Sequence, residues 1–427
     1  MRFCIRRKEG DAALVLVKAL FERDGGDALT LHLGCPSPVD EPGQLTDDDL
    51  KFLVRWIRES MPELPDVPIT LDLGGNRLTA RKLEQLAHCQ RETPQLQALD
   101  LSRNRFLTQP LPRGDTPGKA LRNKLTSSRR PKEPLRTGDA IGELLTSGHL
   151  RRLSLNGNPF AKEDRERILR AVVDSRKLRA LEMSDCALSE DDIKILVQQD
   201  GSKGWRHLAM GTKLTEGALK AIARLLRTSE TLETLDLRTT EPYASITVND
   251  LFGALEGNHG LKHLSLAGYR LRGNRTAVTQ ALRKNTSLRR LDMSGSDITM
   301  KLLDALVQAL SQQEGLSPNE TLTTLILPEF DSGTDDHDKK EMSKAKLSFA
   351  ISRNRATQLP ADTLAAFLAC CAPAVAVPLE LHGKIVGYIR DYESEAIMPA
   401  RRVRKPGRAP DARAAPTPWL QARSPRT

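Results

Sequence analysis

One leucine pattern, L-x-x-L-x-L, recurs along most of this 427-residue chain and restricts the folds that the chain can adopt. Eight clear copies lie between positions 96 and 327, and two weaker copies lie upstream at 29–33 and 69–73. The central residues of the ten copies stand at positions 31, 71, 99, 153, 181, 208, 235, 264, 291 and 325. Most of the steps between them are 27 to 29 residues long, and the step of 54 is twice 27. We therefore expect a stack of about ten similar units.

Each unit combines a strand pattern with a helix pattern. The second half of the motif alternates with a period of two, which predicts a short strand with its leucines on one face. Apolar residues three and four apart follow, as at Leu219, Ile222 and Leu226, and cap-type residues such as Ser189 and Thr215 precede them. A strand and a helix in about 28 residues require consecutive strands to stack in parallel. Because helices are wider than strands, the stack should curve with the strands inside.

These features resemble the leucine-rich repeat family, in particular its long ribonuclease-inhibitor-like class. The family signature L-x-x-L-x-L-x-x-N/C-x-L is matched in full by residues 96–106 with Asn104, by 150–160 with Asn158, and by 178–188 with Cys186. The resemblance implies an α/β solenoid, or horseshoe, with a parallel β-sheet on the concave face and α-helices on the convex face. It also implies that the Asn or Cys is buried where the chain turns after the strand. Less regular turns are expected in the C-terminal half, where the Asn position holds Thr240, Tyr269, Ser296 and Phe330.

The pattern predicts four regions. Residues 1–24 are expected to form an N-terminal capping helix, and residues 25–355 the solenoid. Residues 356–398 are expected to form a C-terminal cap or small module, since solenoids need capped ends. Residues 399–427 are rich in Arg, Pro and Ala, which predicts a disordered basic tail.

Charge is distributed unevenly between the solenoid and its insertions. Residues 107–138 interrupt the repeat with eight Lys or Arg against two acidic residues, which predicts a basic loop insert. The segment 401–427 has eight Lys or Arg against one Asp, so the loop and the tail together exceed the net charge of +10. Near the end of the array, residues 331–346 are expected to be a surface loop and residues 347–356 a final helix.

Composition and motifs argue against several function classes. Aromatic residues make up 4% of the chain, which disfavours a base-stacking nucleic-acid surface. The six cysteines include no C-x-x-C pair, which predicts thiols in a reducing compartment. We expect no Sec signal peptide, no membrane span, no metal site and no cofactor, because no corresponding motif is present. The protein is accordingly predicted not to be an enzyme.

Two alternatives to a binding scaffold remain open. An enzyme could use the C-terminal module, most plausibly for ubiquitin transfer through Cys370 or Cys371 with His382 nearby, although an apolar setting would make such thiols inert. A GTPase-regulatory role is known for one cytosolic leucine-rich repeat family, but no motif selects it. The chain is also similar to leucine-rich effectors that bacteria inject into host cells, since residues 217–223 resemble the helix motif of one such group.

The concave face is the usual contact surface of the family, and the strand alternation predicts which residues face outward there. A line of acidic residues edged by basic residues and imidazoles would suit a protein ligand, although Asp and Ser are also ordinary at these positions of the repeat. The candidate protein-binding residues are Asp72, Asp100, Arg152, Glu182, His207, Asp236, Arg238, His263, Arg290 and Asp292.

The basic tail gives a second candidate site. Arg401, Arg402, Arg404 and Lys405 form a cluster compatible with nuclear targeting or an anionic membrane surface, or with a merely solvated tail. The expected partner is a protein, bound by a monomer in the cytoplasm or, after secretion without a Sec signal, in a host cell. A nucleic-acid partner is disfavoured.

Overall fold

A computed structural model provides the structure of the chain. It describes residues 29–32, 50, 53–55, 68–106, 136–146, 149–198, 204–211, 214–241, 244–311, 315–330 and 336–358.

The main sheet has ten parallel strands in the order β1-β2-β3-β4-β5-β6-β7-β9-β11-β13. The central residue of every L-x-x-L-x-L copy pairs with its counterpart in the next copy, from Leu31 with Leu71 to Leu291 with Leu325. All ten of these leucines are buried, which confirms the predicted strands. The strands are β1 Leu29–His32, β2 Ile69–Asp72, β3 Leu96–Asp100, β4 Arg152–Ser154, β5 Ala180–Glu182, β6 His207–Ala209, β7 Thr234–Asp236, β9 His263–Ser265, β11 Arg290–Asp292 and β13 Thr324–Ile326.

Helices follow the strands and bury their apolar stripes in one continuous core with the leucines. Ser189 and Thr215 cap two of them as predicted, since their hydroxyls accept hydrogen bonds from the backbone N–H groups of Asp192 and Ala218. The helices are α1 Ala80–Glu92, α2 Thr137–Thr146, α3 Lys162–Asp174, α4 Glu190–Val197, α5 Glu216–Thr228, α6 Asn249–Leu255, α7 Arg275–Lys284, α8 Met300–Leu310 and α9 His337–Thr357.

The widths of the two layers determine which one is concave. Hydrogen-bonded strands are about 4.8 Å apart, whereas packed helices are separated by about 8–10 Å. A stack with one strand and one helix per repeat therefore curves towards the sheet. We call the outward side of the ten-stranded sheet, opposite the helices, the open face.

The C-terminal half contains a second sheet that the sequence did not predict. Three short strands, β8 Ser245–Thr247, β10 Arg270–Arg272 and β12 Asp297–Ile298, follow the turns of successive repeats and pair in parallel in the order β12-β10-β8. Less regular turns were expected here because Asn is missing. The turns instead gain strand pairing, since backbone groups without an Asn partner still need hydrogen bonds.

Two predicted loops are helical in part. Thr137 and Gly138 were placed in the basic loop, but they begin α2 and are buried. The N–H of Gly138 donates to Asp164 Oδ1 at 3.1 Å, and a Cβ on Gly138 would approach the Asp164 carbonyl oxygen to 2.8 Å. This close approach to α3 explains why glycine occupies the second position of the helix.

The last helix begins ten residues before its predicted start at residue 347. Residues 337–346, expected to be a loop, form the first half of α9. This half has no apolar period because it is largely exposed. Ion pairs between Lys339 and Asp336 and between Lys344 and Glu341 support it, and Lys344 also lies over the ring of Phe330. The helix ends at Thr357, two residues into the range predicted for the C-terminal module.

Several predicted regions lie outside the described residues. These are the capping helix 1–24, most of the basic loop at 107–135, the remainder of the C-terminal module at 359–398, and the tail 399–427. None of the described helices combines the length and apolar character of a membrane span.

The Asn or Cys of the signature is buried at the turn after the strand, as the resemblance implied. Asn104 donates from Nδ2 to the carbonyl oxygens of Leu73 at 3.0 Å and Leu101 at 2.9 Å, and its Oδ1 accepts from the N–H of Leu78 at 3.1 Å. Asn158 repeats this pattern one repeat later, with Nδ2 2.9 Å from the Leu101 carbonyl oxygen. The amides therefore connect neighbouring turns as well as closing their own.

A second column of buried asparagines lies before the strands of the C-terminal repeats, three residues ahead of the first leucine. Asn285 donates to the carbonyl oxygens of Leu255 at 2.7 Å and Asn258 at 3.0 Å, and accepts from the N–H of Leu288 at 2.8 Å. Asn258 and Asn319 make equivalent bonds. The motif N-x-x-L recurs in the sequence at 258, 285 and 319, and would have revealed the column.

We expect Asn285→Ala to destabilise the fold strongly, because it removes the partners of buried carbonyl and N–H groups in two adjacent repeats. The free energy of unfolding, measured by urea denaturation, should fall by roughly 2–4 kcal/mol. Thr286→Ala, at the exposed neighbouring position, should change it by less than about 0.5 kcal/mol. Equal effects of the two substitutions would contradict this role of Asn285.

Candidate functional site

Three rows of side chains cross the open face or its margin at right angles to the strands. The first outward row is Thr70, Ala98, Arg152, Ala180, His207, Thr234, His263, Arg290 and Thr324. The second outward row, two residues later on each strand, is Asp72, Asp100, Ser154, Glu182, Ala209, Asp236, Ser265 and Asp292. The edge row precedes the first outward row by one residue and is Gln97, Arg151, Arg179, Arg206, Glu233, Lys262, Arg289 and Thr323.

The aspartates of the second outward row help to turn the chain. Oδ1 of Asp100 accepts from the N–H of Ser102 at 2.8 Å, and Asp236 accepts from Arg238 in the same way at 3.0 Å. Asp72 and Asp292 make equivalent bonds two residues ahead. An aspartate that bonds the backbone two residues on stabilises a turn, which is the ordinary structural role of this residue type. These four carboxylates therefore have a structural function whether or not they bind a partner.

The centre of the open face has a connected polar cluster, which the sequence did not reveal as a unit. Oε1 of Glu182 lies 2.5 Å from Arg152 Nη2 and 3.6 Å from His207 Nε2, and its Oε2 accepts from Asn156 Nδ2 at 2.9 Å. The Oδ1 of Asn156 accepts from the N–H of Ser184 at 2.8 Å, which orients the amide. Glu182 is 16% exposed, so three neighbours on two flanking repeats hold one largely covered carboxylate.

A second pair lies beside this cluster. Arg238 donates from Nε to Asp236 Oδ2 at 2.7 Å, and its Nη2 lies 2.5 Å from the same oxygen. Arg238 follows the strand instead of lying on it, and its side chain is 60% exposed. The pair presents a positive group beside the acidic row.

The two histidines of the first outward row are held towards the neutral form. Burial lowers the pKa of His207, while the Glu182 carboxylate opposes the shift and Arg152 adds to it. Burial also lowers the pKa of His263, and the charges of Arg290 and Lys262 add to the effect. At neutral pH both imidazoles are therefore uncharged hydrogen-bonding groups.

The ten predicted site residues occupy one face but not one cluster. Asp72 and Asp100 are neighbours near the N-terminal end, whereas His263, Arg290 and Asp292 lie towards the C-terminal end. The remaining five form the central groups described above. The tail residues Arg401, Arg402, Arg404 and Lys405 lie outside the described residues, as do Cys370, Cys371 and His382.

Within the described residues nothing resembles a metal site, since no three His, Cys, Asp or Glu side chains cluster closely enough to hold an ion. Cys89 and Cys186 are buried and not disulfide-bonded. Burial raises the pKa of Cys186 to about 12, so its thiol stays protonated.

The edge row is a part of the surface that the sequence analysis missed. Each of its residues, from Arg151 to Thr323, donates its backbone N–H to the carbonyl oxygen of the preceding member at 2.7–2.9 Å. These residues occupy the first variable position of L-x-x-L-x-L. The excess of Arg and Lys at that position was a visible signal.

Lowering the pH should destabilise the protein in part through His207. Its pKa is lower in the folded state, so the unfolded chain binds the proton more tightly and folding stability falls as the pH drops below about 6.5. We expect His207→Gln to reduce the stability lost between about pH 7.5 and about pH 5, measured by urea denaturation. A separate variant, Glu182→Gln, keeps His207 but removes the carboxylate that raises its pKa. In an NMR titration of that variant the pKa of His207 should be lower still. A rise would contradict the arrangement.

Two substitutions at Asp236 should separate its turn bond from its charge. Asp236→Ala removes the acceptor of the Arg238 N–H and should lower the free energy of unfolding by about 1 kcal/mol. Asp236→Asn keeps an Oδ1 acceptor and should lower it by less than about half as much. Thermal unfolding followed by circular dichroism compares the two, and equal losses would show that the charge, not the turn bond, is the stabilising feature.

Comparison with known proteins is consistent with the repeat architecture. A family model described as Leucine Rich repeat matches residues 284–301, which span the end of α7 and all of β11. No curated protein matches the sequence.

Among solved structures, the TLR13–ssRNA13 complex is similar with a TM-score of 0.38 at 15% identity, covering 70% of this chain and 36% of that chain. Human 5T4, also called Wnt-activated inhibitory factor 1 or trophoblast glycoprotein, gives 0.34 at 19% identity, covering 61% and 82%. Leiomodin-1 actin-binding site 2 gives 0.28 at 14% identity, covering 47% and 92%. The chain thus spans about a third of the TLR13 chain. The repeat pattern, the ten-stranded parallel sheet and the match of residues 284–301 to the family model together identify a leucine-rich repeat fold, an α/β solenoid.

Proposed function

We propose that this protein is a non-enzymatic scaffold that binds a protein partner, as a monomer, through the open face of its ten-stranded sheet. The observation that carries the proposal is the ordered polar surface formed by the two outward rows. Arg152, Glu182 and His207 are held in place by contacts between repeats, and Asp236 with Arg238 extends the group. Side chains that are already ordered lose less entropy on binding, which favours affinity.

The composition of this surface favours recognition by polar and charged groups. The outward rows contain arginine, histidine, carboxylates and threonine but no aromatic residue. Arginine is one of the residue types enriched at the energetic centres of protein interfaces. Complementary charges also accelerate association and exclude wrong partners. The alternative of an enzyme that uses Cys370 or Cys371 has no support from the described residues.

Further features of the chain support a more specific proposal. A helix in most of the 27- to 29-residue repeats supports the ribonuclease-inhibitor-like class. The likeness of residues 217–223, now located on α5, to the helix motif of one effector group supports a secreted bacterial effector acting on a host protein. On this proposal the protein acts in the cytoplasm, of the producing cell or of a host, and the basic tail adds contact with an anionic surface.

Blocking the open face with larger side chains should weaken binding without changing the net charge of the protein. Peptide ligands selected by display against the full chain should lose at least about tenfold in affinity on Thr234→Trp with Ala180→Trp, because both side chains lie in the first outward row. Thr146→Trp with Thr228→Trp, at exposed ends of α2 and α5, is the matched control and should change affinity by less than about twofold. Ligands that bind the blocked protein but not the control would place the binding surface on the helices.

A further inference from the structure

The margin of the open face where the strands begin is strongly basic. Between β4 and β11 the edge row and the first outward row contain seven Lys or Arg and one carboxylate, Glu233. The basic residues are Arg151, Arg152, Arg179, Arg206, Lys262, Arg289 and Arg290. We call these seven residues the basic edge.

Much of this charge is not neutralised by the described part of the chain. Arg152 pairs with Glu182, and Lys262 lies 3.5 Å from Glu233. Arg151, Arg206 and Arg290 are exposed, and no carboxylate of the described residues forms an ion pair with them. Among the described residues, the Arg289 guanidinium donates to the backbone carbonyl oxygen of Thr321 at 3.4 Å and forms no ion pair. The exposed guanidinium groups are therefore available to an anionic partner.

The backbone ladder gives the basic edge a regular spacing. Five of the six consecutive strands from β4 through β11 contribute basic residues to it, and β7 instead carries Glu233 and Thr234. At about 4.8 Å per strand the edge is about 24 Å long, which equals about seven residues of extended chain. A rigid row of this length fits a linear anionic segment better than a single anion.

The second outward row restricts which polyanion fits. Its carboxylates Glu182, Asp236 and Asp292 run parallel to the basic edge, two residues beyond the first outward row and three beyond the edge row, and thus about 7–10 Å further along the strands. Each nucleotide of a nucleic acid carries a negative phosphate, so part of that chain would face this acidic line. The three rows also lack aromatic side chains on which bases could stack.

An extended polypeptide meets both requirements. Its side chains alternate in direction, so acidic residues can all point towards the basic edge while uncharged or basic residues point towards the acidic line. We propose that the basic edge binds an extended acidic segment of the protein partner, laid across the strands from β4 to β11. This inference rests on the proposed function, since it names the chemistry of the partner that binds the open face.

The test uses the full chain and a 12-residue peptide of alternating Glu and Ser as the probe. A photo-crosslinking amino acid, benzoylphenylalanine, replaces Thr234 at the centre of the open face, or Thr228 at the end of α5 as control. We expect crosslinking from position 234 and not from 228. Arg151→Gln with Arg206→Gln and Arg289→Gln should reduce that yield at least about tenfold, because three ion pairs are lost.

A second triple variant tests whether the loss of net charge alone reduces crosslinking. It retains the basic loop and tail, as the first triple variant does. Arg170→Gln, Arg224→Gln and Lys301→Gln remove the same three charges from exposed positions of α3, α5 and α8 and should leave the yield at position 234 unchanged. A 12-residue oligothymidylate should crosslink less than the peptide. Equal losses in the two triple variants, no crosslink from 234, or stronger crosslinking of the oligonucleotide would each overturn the inference.

These outcomes are separable from a failure of the proposed function. If display-selected ligands are still blocked by the tryptophan variants while the acidic peptide does not crosslink, the open face binds a partner of other chemistry. If the tryptophan variants have no effect either, the proposed function itself is wrong.

Discussion

Each repeat of this chain depends on its neighbours to bury its leucines. A three-residue strand with one helix cannot enclose three leucines alone, and only stacking in register forms a continuous core. The pairing of Leu31, Leu71 and their eight counterparts along the sheet is the direct result. Because every leucine aligns with the next, every other position of the repeat aligns as well. The rows of the open face therefore follow from the packing of the core.

Stacking also creates a hydrogen-bonding requirement at both ends of each strand. At the turns after the strands, Asn104 and Asn158 satisfy backbone groups of two repeats at once. In the later repeats, short strands and a second asparagine column meet the same requirement. The chain thus uses different residues in its two halves to prevent unpaired backbone groups in the interior.

The order of the core limits what the surface can do. The sheet fixes the backbone positions of these side chains, so recognition depends on rows whose spacing the backbone imposes. A basic edge beside an acidic row gives the open face a polarity across its strands. A partner segment with acidic side chains on one side and basic side chains on the other would be oriented by this polarity before close contact forms.

Much of the candidate site could be predicted from the sequence, because the two-residue alternation of the strands assigns Asp72, His207 and Asp292 to the outward side. The period of about 28 residues then places them in rows. Contacts within the rows could not be predicted in this way. Whether Glu182 would pair with Arg152, with His207 or with both depends on side chains one repeat before and after it. The turn bonds of Asp100 and Asp236 were equally hidden, since an aspartate at that position can bind either the backbone or a ligand.

The sequence by itself therefore determined the strand register, the inward and outward sides and the capped helices, because these depend on local periodicity. Only the tertiary structure decided where α9 begins, which backbone groups the asparagines satisfy, and that Arg151, Arg206 and Arg289 form one edge. The physical reason is distance along the chain. The asparagine bonds and the edge join residues about one repeat or more apart in sequence, which approach one another only when the repeats stack. The first half of α9 likewise places Lys344 over Phe330, a contact that the local sequence pattern does not show.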